Sequence, residues 1–297
     1  MNIDFPPAFD IDYYKNQYPE LNGHSNEVVA EHARRYAEEQ GHSTCIYDRS
    51  EYLKALLAHI INQTHAKVLE IGPFDNPFCV GESVKYFDIF DAETLKESAA
   101  KANRPFKNTP KKIHYVDPNG DISIIDEKFD IVFSSHCIEH QPDLVAHLNN
   151  VANILNDGGF YVLVIPDKRY CFDHFRQETA LFEVLDASVN KRTLHSFKSL
   201  AESGYFLTHN NSVLHWIGQH GTLDVAQESF AKTQKKYEES VKGGGGYVNA
   251  HAWCFTPRNF GSIINDLKKF NLINLELHRL CHTIWGRFEF CAVLKKF

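Results

Sequence analysis

Short apolar runs alternate with stretches in which apolar residues recur every three or four positions, and this alternation dominates the middle of the chain. Runs at 68–71, 84–88, 113–116, 130–134 and 161–165 are too short for helices, and apolar side chains fill both of their faces. Such runs predict parallel strands covered on both sides, joined as βαβ units. The clearest helical pattern falls at 142–155. Pro142 stands where a first turn tolerates it, Leu144, Val145, Leu148, Val151 and Leu155 share a face, and Gly158 and Gly159 mark its end. Thr256 followed by Pro257 reads as an N-cap and first helical position, opening a helix to about Phe270. Strands at 275–280 and 288–294 follow with no long helix between them, so that pair runs antiparallel. The expectation is an α/β protein with a mostly parallel seven-stranded sheet and an antiparallel last strand.

Helical spacing at 27–39 and 50–61 predicts an N-terminal helical cap over 1–62, ahead of a second unit at 63–297. Residues 166–251 are inserted between the fifth strand and the next helix. Strand carboxyl ends and helix amino ends share one edge of such a sheet, so the insertion should lie over a ligand crevice as a substrate lid. Its four consecutive glycines, 243–246, read as a linker or as a hinge for closure. Only twelve residues separate Ile71 from Val84, so any helix in that crossover should be short or irregular.

Composition narrows the function classes. The chain has 297 residues, 43% of them hydrophobic, enough to bury a large core. Its formal net charge of -7, from 31 basic against 38 acidic residues, is not organised into a basic stripe, which argues against nucleic acid as a partner. The acidic start MNIDFPPAFDID does not resemble a signal peptide and no apolar run reaches membrane length, so the expected location is cytoplasmic, without membrane insertion. Seven cysteines without a C-x-x-C pair point to reduced, buried thiols.

The ordered set KVLEIG followed by PFDNP, then VKYFD, FDIVFSSHCIEH and LNDGGFYVLVIPDKRY resembles the class I S-adenosylmethionine-dependent methyltransferases over about 67–165. The resemblance implies a Rossmann-like sheet and S-adenosylmethionine as cofactor. It places Glu70 at the acidic position of the first strand and Gly72 in the glycine turn beside the methionine part of the ligand. Here the chain departs from the usual three-glycine loop, because Pro73 stands next and Asp75, Asn76 and Pro77 replace the further glycines. Asp88, ending the second strand, could accept both ribose hydroxyls, while neighbouring Asp91 fits better as the cap of a helix at 92–102. Asp117 matches the acidic residue ahead of the adenine-facing loop. Asp121 is its rival, and either could serve only the turn in DPNGD.

SSHCIEH resembles the strand-four motif of that family and brings Ser134, Ser135 and His136 to the crevice, with Ser135 on the cofactor side. Methyl transfer to a hydroxyl requires orientation and a base. His136 is the first candidate, because neutral imidazole dominates at cellular pH, and His140 is the second unless it only anchors the next helix with Glu139. Past the fifth strand, Asp167, Arg169, Tyr170 and Arg176 suggest a polar acceptor site, the arginines clamping a carboxylate or phosphate and Tyr170 stacking on a sugar; a solvated loop would look similar. His251 lies on the same edge. The chain has 17 histidines but no H-E-x-x-H helix, so those of the insertion are read as hydrogen-bonding or substrate contacts, with no metal.

The segment FDIDYYKNQYPEL, 9–21, resembles short segments that accompany bacterial surface-polysaccharide enzymes. The expected function is therefore O-methylation of a small polar or saccharide acceptor, such as a bacterial glycan precursor. A phosphorylated or phosphoramidate-like acceptor, and a non-catalytic cofactor-binding scaffold, are the competing readings. A homo-oligomer or a glycosyltransferase partner is left open.

Overall fold

The computed structural model describes residues 3–104, 108–223, 230–242 and 248–297. Within them, β1 (Val68–Ile71), β2 (Val84–Asp88), β3 (Tyr115–Val116), β4 (Phe129–Ser135), β5 (Leu155–Pro166), β6 (Leu275–Leu280) and β7 (Glu289–Lys296) form one seven-stranded sheet. Its order is β3-β2-β1-β4-β5-β7-β6, parallel from β3 to β5, with β7 antiparallel to both neighbours. Ile71 pairs with Phe87 on one side and with Ser134 on the other, so Gly72, Asp88 and Ser135 leave the sheet side by side. That register is the Rossmann-like methyltransferase arrangement, with the crevice at the strand carboxyl ends.

Several boundaries differ from the sequence reading for local reasons. β3 starts at Tyr115 rather than at 113, because His114 bonds Tyr86 twice: its amide donates to the Tyr86 carbonyl and its Nδ1 accepts the Tyr86 N–H. The helix expected at 142–155 is Leu144–Ile154, capped by the Asp143 carboxylate accepting from the Ala146 N–H, which leaves Pro142 outside. Gly158 and Gly159 do not end it but lie within β5. β4 gains a residue at each end, and the last strand spans Glu289–Lys296 instead of 288–294. The crossover from β1 to β2 contains no helix. The Ala92–Lys101 helix has its Asp91 cap and the Pro257–Lys269 helix its Thr256 cap, as expected.

Helices Leu144–Ile154, Leu181–Val189 and Pro257–Lys269 cover one face of the sheet. Helix Ser50–Thr64 covers the other, packing Leu53, Leu57 and Ile61 against a cluster that includes Val68, Ile131 and Phe133. It is therefore a layer of the sheet domain, and the boundary drawn near 62 cuts through a shared core. The preceding stretch expected as one helix at 27–39 is Asn26–His32, a π turn Ala33–Ala37 and Glu38–Gln40. It forms a small cluster around Tyr14, whose hydroxyl meets His32 and His42. Among the described residues no helix is long and apolar enough to cross a membrane. The glycines 243–246 lie outside the described residues.

Candidate functional site

A cavity of about 870 Å³ opens at the carboxyl ends of β1, β2 and β4. The insertion contributes Thr193, His195, Val248 and Asn249 to its wall. Asp88 sits at the end of β2, buried, with Oδ1 accepting the Phe90 N–H at 3.2 Å. Burial pushes its carboxyl up to about 6, against the pull of backbone donors from Phe90, Ile89 and Phe74. Gly72 takes φ +71, and a Cβ there would fall 2.5 Å from Cys137 Sγ, so the turn leaves space that only glycine keeps open. Apolar Phe90, Leu95 and Ile122 line the same wall, with Asn119 and Gly120 from the loop after β3. A buried carboxylate beside an apolar slot and a bare backbone turn fits a nucleoside with a charged amino-acid tail.

Three of the acidic residues expected to touch cofactor are engaged by the protein itself. Glu70 binds the crossover, its two oxygens accepting the Phe78 N–H at 2.7 Å and the Cys79 N–H at 2.8 Å, while burial raises it to about 7. Its carboxylate shapes the loop that replaces the glycine-rich turn, and it still reaches the cavity wall. Asp75 lines the cavity but accepts Arg104 Nε at 3.0 Å. Asp117 is not on the wall; its Oδ1 accepts the Asn119 and Asp121 N–H groups, the turn role that DPNGD allowed. Ser135 does line the cavity.

His136 leaves β4 in the left-handed region, φ +53, a backbone cost of the kind that gathers at active sites. Its N–H donates to Val164 O, and its Nε2 lies 3.0 Å from Glu289 Oε2 on β7. Burial pulls the imidazole down, but the Glu289 hydrogen bond and the Glu139 and Glu289 charges outweigh burial and raise it. His140 also lines the cavity, in a 3₁₀ turn Ile138–His140, with Nδ1 3.0 Å from Ala250 O. Burial lowers it to about 4, helped by His251 and His195 and opposed by Glu139.

The remaining acceptor candidates are drawn away from the cavity. Asp167 is fully buried and grips Arg169 through two oxygens, with Arg169 Nη2 at 2.6 Å and Thr283 Oγ1 also at 2.6 Å. Tyr170 stacks on Trp216 with centroids 3.8 Å apart. Arg176 is buried against Asp173 at 2.9 Å and donates to His251 O. The expected arginine clamp is thus corrected: each guanidinium is neutralised by a carboxylate two or three residues earlier. His251 Nδ1 meets Asp173 Oδ2 at 2.5 Å, and its ring lies against His140, one step behind the wall. Sequence reasoning missed Glu289 and Asn249, whereas His195 was among the insertion histidines read as hydrogen-bonding or substrate contacts. Glu289 carried a signal, an acidic residue between Phe288 and Phe290 in an apolar strand.

The sequence model of a methyltransferase-domain family matches residues 33–211. No curated protein matches the chain. Among solved structures, the magnesium protoporphyrin IX methyltransferase of Synechocystis PCC 6803 with bound S-adenosylhomocysteine is 11% identical, with 97% of this chain and 98% of that one covered and a TM-score of 0.39. An S-adenosylmethionine-dependent methyltransferase of Mesorhizobium loti is 20% identical over 36% of this chain and 50% of that one, with a TM-score of 0.26.

Proposed function

We propose, for a chain that belongs to the methyltransferase-domain family and is an S-adenosylmethionine-dependent enzyme, that the methyl group goes to an oxygen of a small polar acceptor, saccharides included. The observation that carries this reading is that Asp88 and His136 line one cavity, a nucleoside carboxylate at one end and an imidazole at the other. S-Adenosylmethionine supplies an electrophilic methyl whose bond electrons leave on sulfur as the new carbon–oxygen bond forms. Asp88 accepts the ribose hydroxyls, and Gly72 lets the backbone approach the amino-acid tail. Ser135 bounds the cofactor side. His136, oriented by the Glu289 carboxylate, takes the hydroxyl proton, with His140 behind it as the second imidazole on the wall.

The acceptor enters from the side of the insertion, where His195, Thr193 and Asn249 offer hydrogen-bonding groups. The premise for a sugar-stacking or phosphate-clamping loop is gone, since Tyr170, Arg169 and Arg176 have partners within the protein. Neutral hydroxyl compounds are therefore preferred to phosphorylated ones. The test is a panel of hydroxyl, amine and phosphoryl acceptors with methyl-labelled cofactor. Label should appear on oxygen, and His136→Ala should lower turnover by about 10²- to 10⁴-fold while cofactor affinity holds. Transfer to nitrogen alone, or normal turnover in that variant, overturns the assignment.

A further inference from the structure

Among the described residues, Glu139 is the only carboxylate with both oxygens buried and without a hydrogen-bond partner. A lone carboxylate so far from water is strongly disfavoured unless something positive accompanies it. Three imidazoles surround its Oε1: His136 Nδ1 at 3.7 Å, His140 Nε2 at 3.8 Å and His251 Nε2 at 3.8 Å. The orientation of two of these rings is fixed from behind. His140 Nδ1 faces the Ala250 carbonyl at 3.0 Å, and His251 Nδ1 faces the Asp173 carboxylate at 2.5 Å. Carbonyls and carboxylates only accept, so each Nδ1 carries a hydrogen and each Nε2 is turned toward Glu139. Two ring nitrogens and a carboxylate oxygen thus converge in one buried space, a donor set that a cation would satisfy.

We propose that Glu139, His140 and His251 hold a divalent transition-metal ion at the inner wall of the cavity. Their ligand atoms lie within 4.8 Å of one another. An ion bound at ~2.1 Å brings neighbouring ligands to about 3.4 Å, so small side-chain movements complete the site. Two imidazoles and one carboxylate select zinc, manganese, iron or cobalt over magnesium or calcium. The Ala250 and Asp173 bonds are the outer support that metal-ligating histidines require. The fold also ties the ligands together, because the Glu139 carbonyl accepts the Ala252 and Trp253 N–H groups and so draws the end of the insertion onto the β4 turn. Three protein ligands leave coordination open, and His140 faces the cavity, so an acceptor oxygen could complete the sphere. That last role rests on the oxygen-directed reading above; the metal site does not.

A second histidine group, His174, His215 and His220, has a comparable spacing but satisfies itself. His215 Nδ1 meets His220 Nδ1 at 3.1 Å and His174 Nδ1 meets Arg169 O at 2.7 Å, with no carboxylate among them. It provides the control. Untagged, chelator-treated protein is titrated with Co(II), read by calorimetry and by visible absorption, with S-adenosylmethionine calorimetry as the check on folding. One equivalent should bind, Glu139→Gln and His140→Gln should each weaken it at least about tenfold, and His220→Ala should leave it unchanged. If Glu139→Gln loses cofactor binding through misfolding, His140→Gln carries the comparison. Failure of the wild type to take up Co(II), Zn(II) or Mn(II) overturns the proposal, as does undiminished uptake by the folded ligand variants. Metal uptake without transfer to any oxygen acceptor sinks the functional reading alone, whereas oxygen transfer by protein that binds no metal sinks the metal site alone.

Discussion

Burial raises the Asp88 carboxyl from an ordinary 3.8 to about 6, so between those values the folded protein holds a proton that the unfolded chain has released. Asp88 therefore favours folding most below its unfolded value, and the contribution is lost as pH rises through 6; at neutral pH its charge costs about 3 kcal/mol. Asp88→Asn should accordingly stabilise the ligand-free protein by about 1 to 3 kcal/mol in urea unfolding, while weakening S-adenosylmethionine by about 1.5 to 3 kcal/mol in calorimetry. Wild-type affinity should fall as pH drops below about 6, roughly tenfold per unit, because only the ionised form accepts both hydroxyls. A flat profile from pH 5 to 8 would move the ribose contact elsewhere. Asp88 could be named from sequence because its position at a strand end decides its direction. Arg169 and Arg176 could not be placed from composition alone, although Asp167 and Asp173 nearby were a readable sign that each charge had a local partner.

At the scale of elements, the crossover of residues 72–83 does without the helix that usually covers the cofactor. Glu70 holds it by two backbone N–H groups, and Gly72 starts it in a conformation that an L side chain adopts at a cost of about 1–2 kcal/mol. Gly72→Ala should lose that amount of stability and also meet Cys137 Sγ, which lies 2.5 Å from the added Cβ. Combining it with Cys137→Ala should restore the steric part of cofactor affinity but not the backbone part, a coupling read in a double-mutant cycle. Strict additivity of the two changes would show that Cys137 does not define the turn. The short spacing between Ile71 and Val84 announced an irregular crossover, but not which carboxylate would anchor it, because that depends on where the loop folds back. β3 and the Leu144–Ile154 helix likewise moved by a few residues where one side chain, His114 or Asp143, took a backbone partner.

For the whole molecule, helix Ser50–Thr64 and the sheet share one buried cluster, so the N-terminal region and the catalytic unit should unfold together. Leu57→Ala should cost about 2–5 kcal/mol and shift a single transition seen alike by fluorescence and circular dichroism. Two separated transitions would restore an independent cap. The sequence by itself determined the alternation of strands and helices, the mostly parallel sheet and its antiparallel close. Those follow from local periodicity combined with the few topologies that parallel strands allow, whereas Gly72, Asp88 and His136 were singled out with the help of the family resemblance. Only the tertiary structure decided that Glu289 orients His136, that the arginines of the insertion are neutralised, and that His251 returns to Glu139. Those pairings join residues more than a hundred positions apart, or choose one partner among several carboxylates. They are settled by which groups lose water together, a property of the packed molecule that no local pattern of residues records.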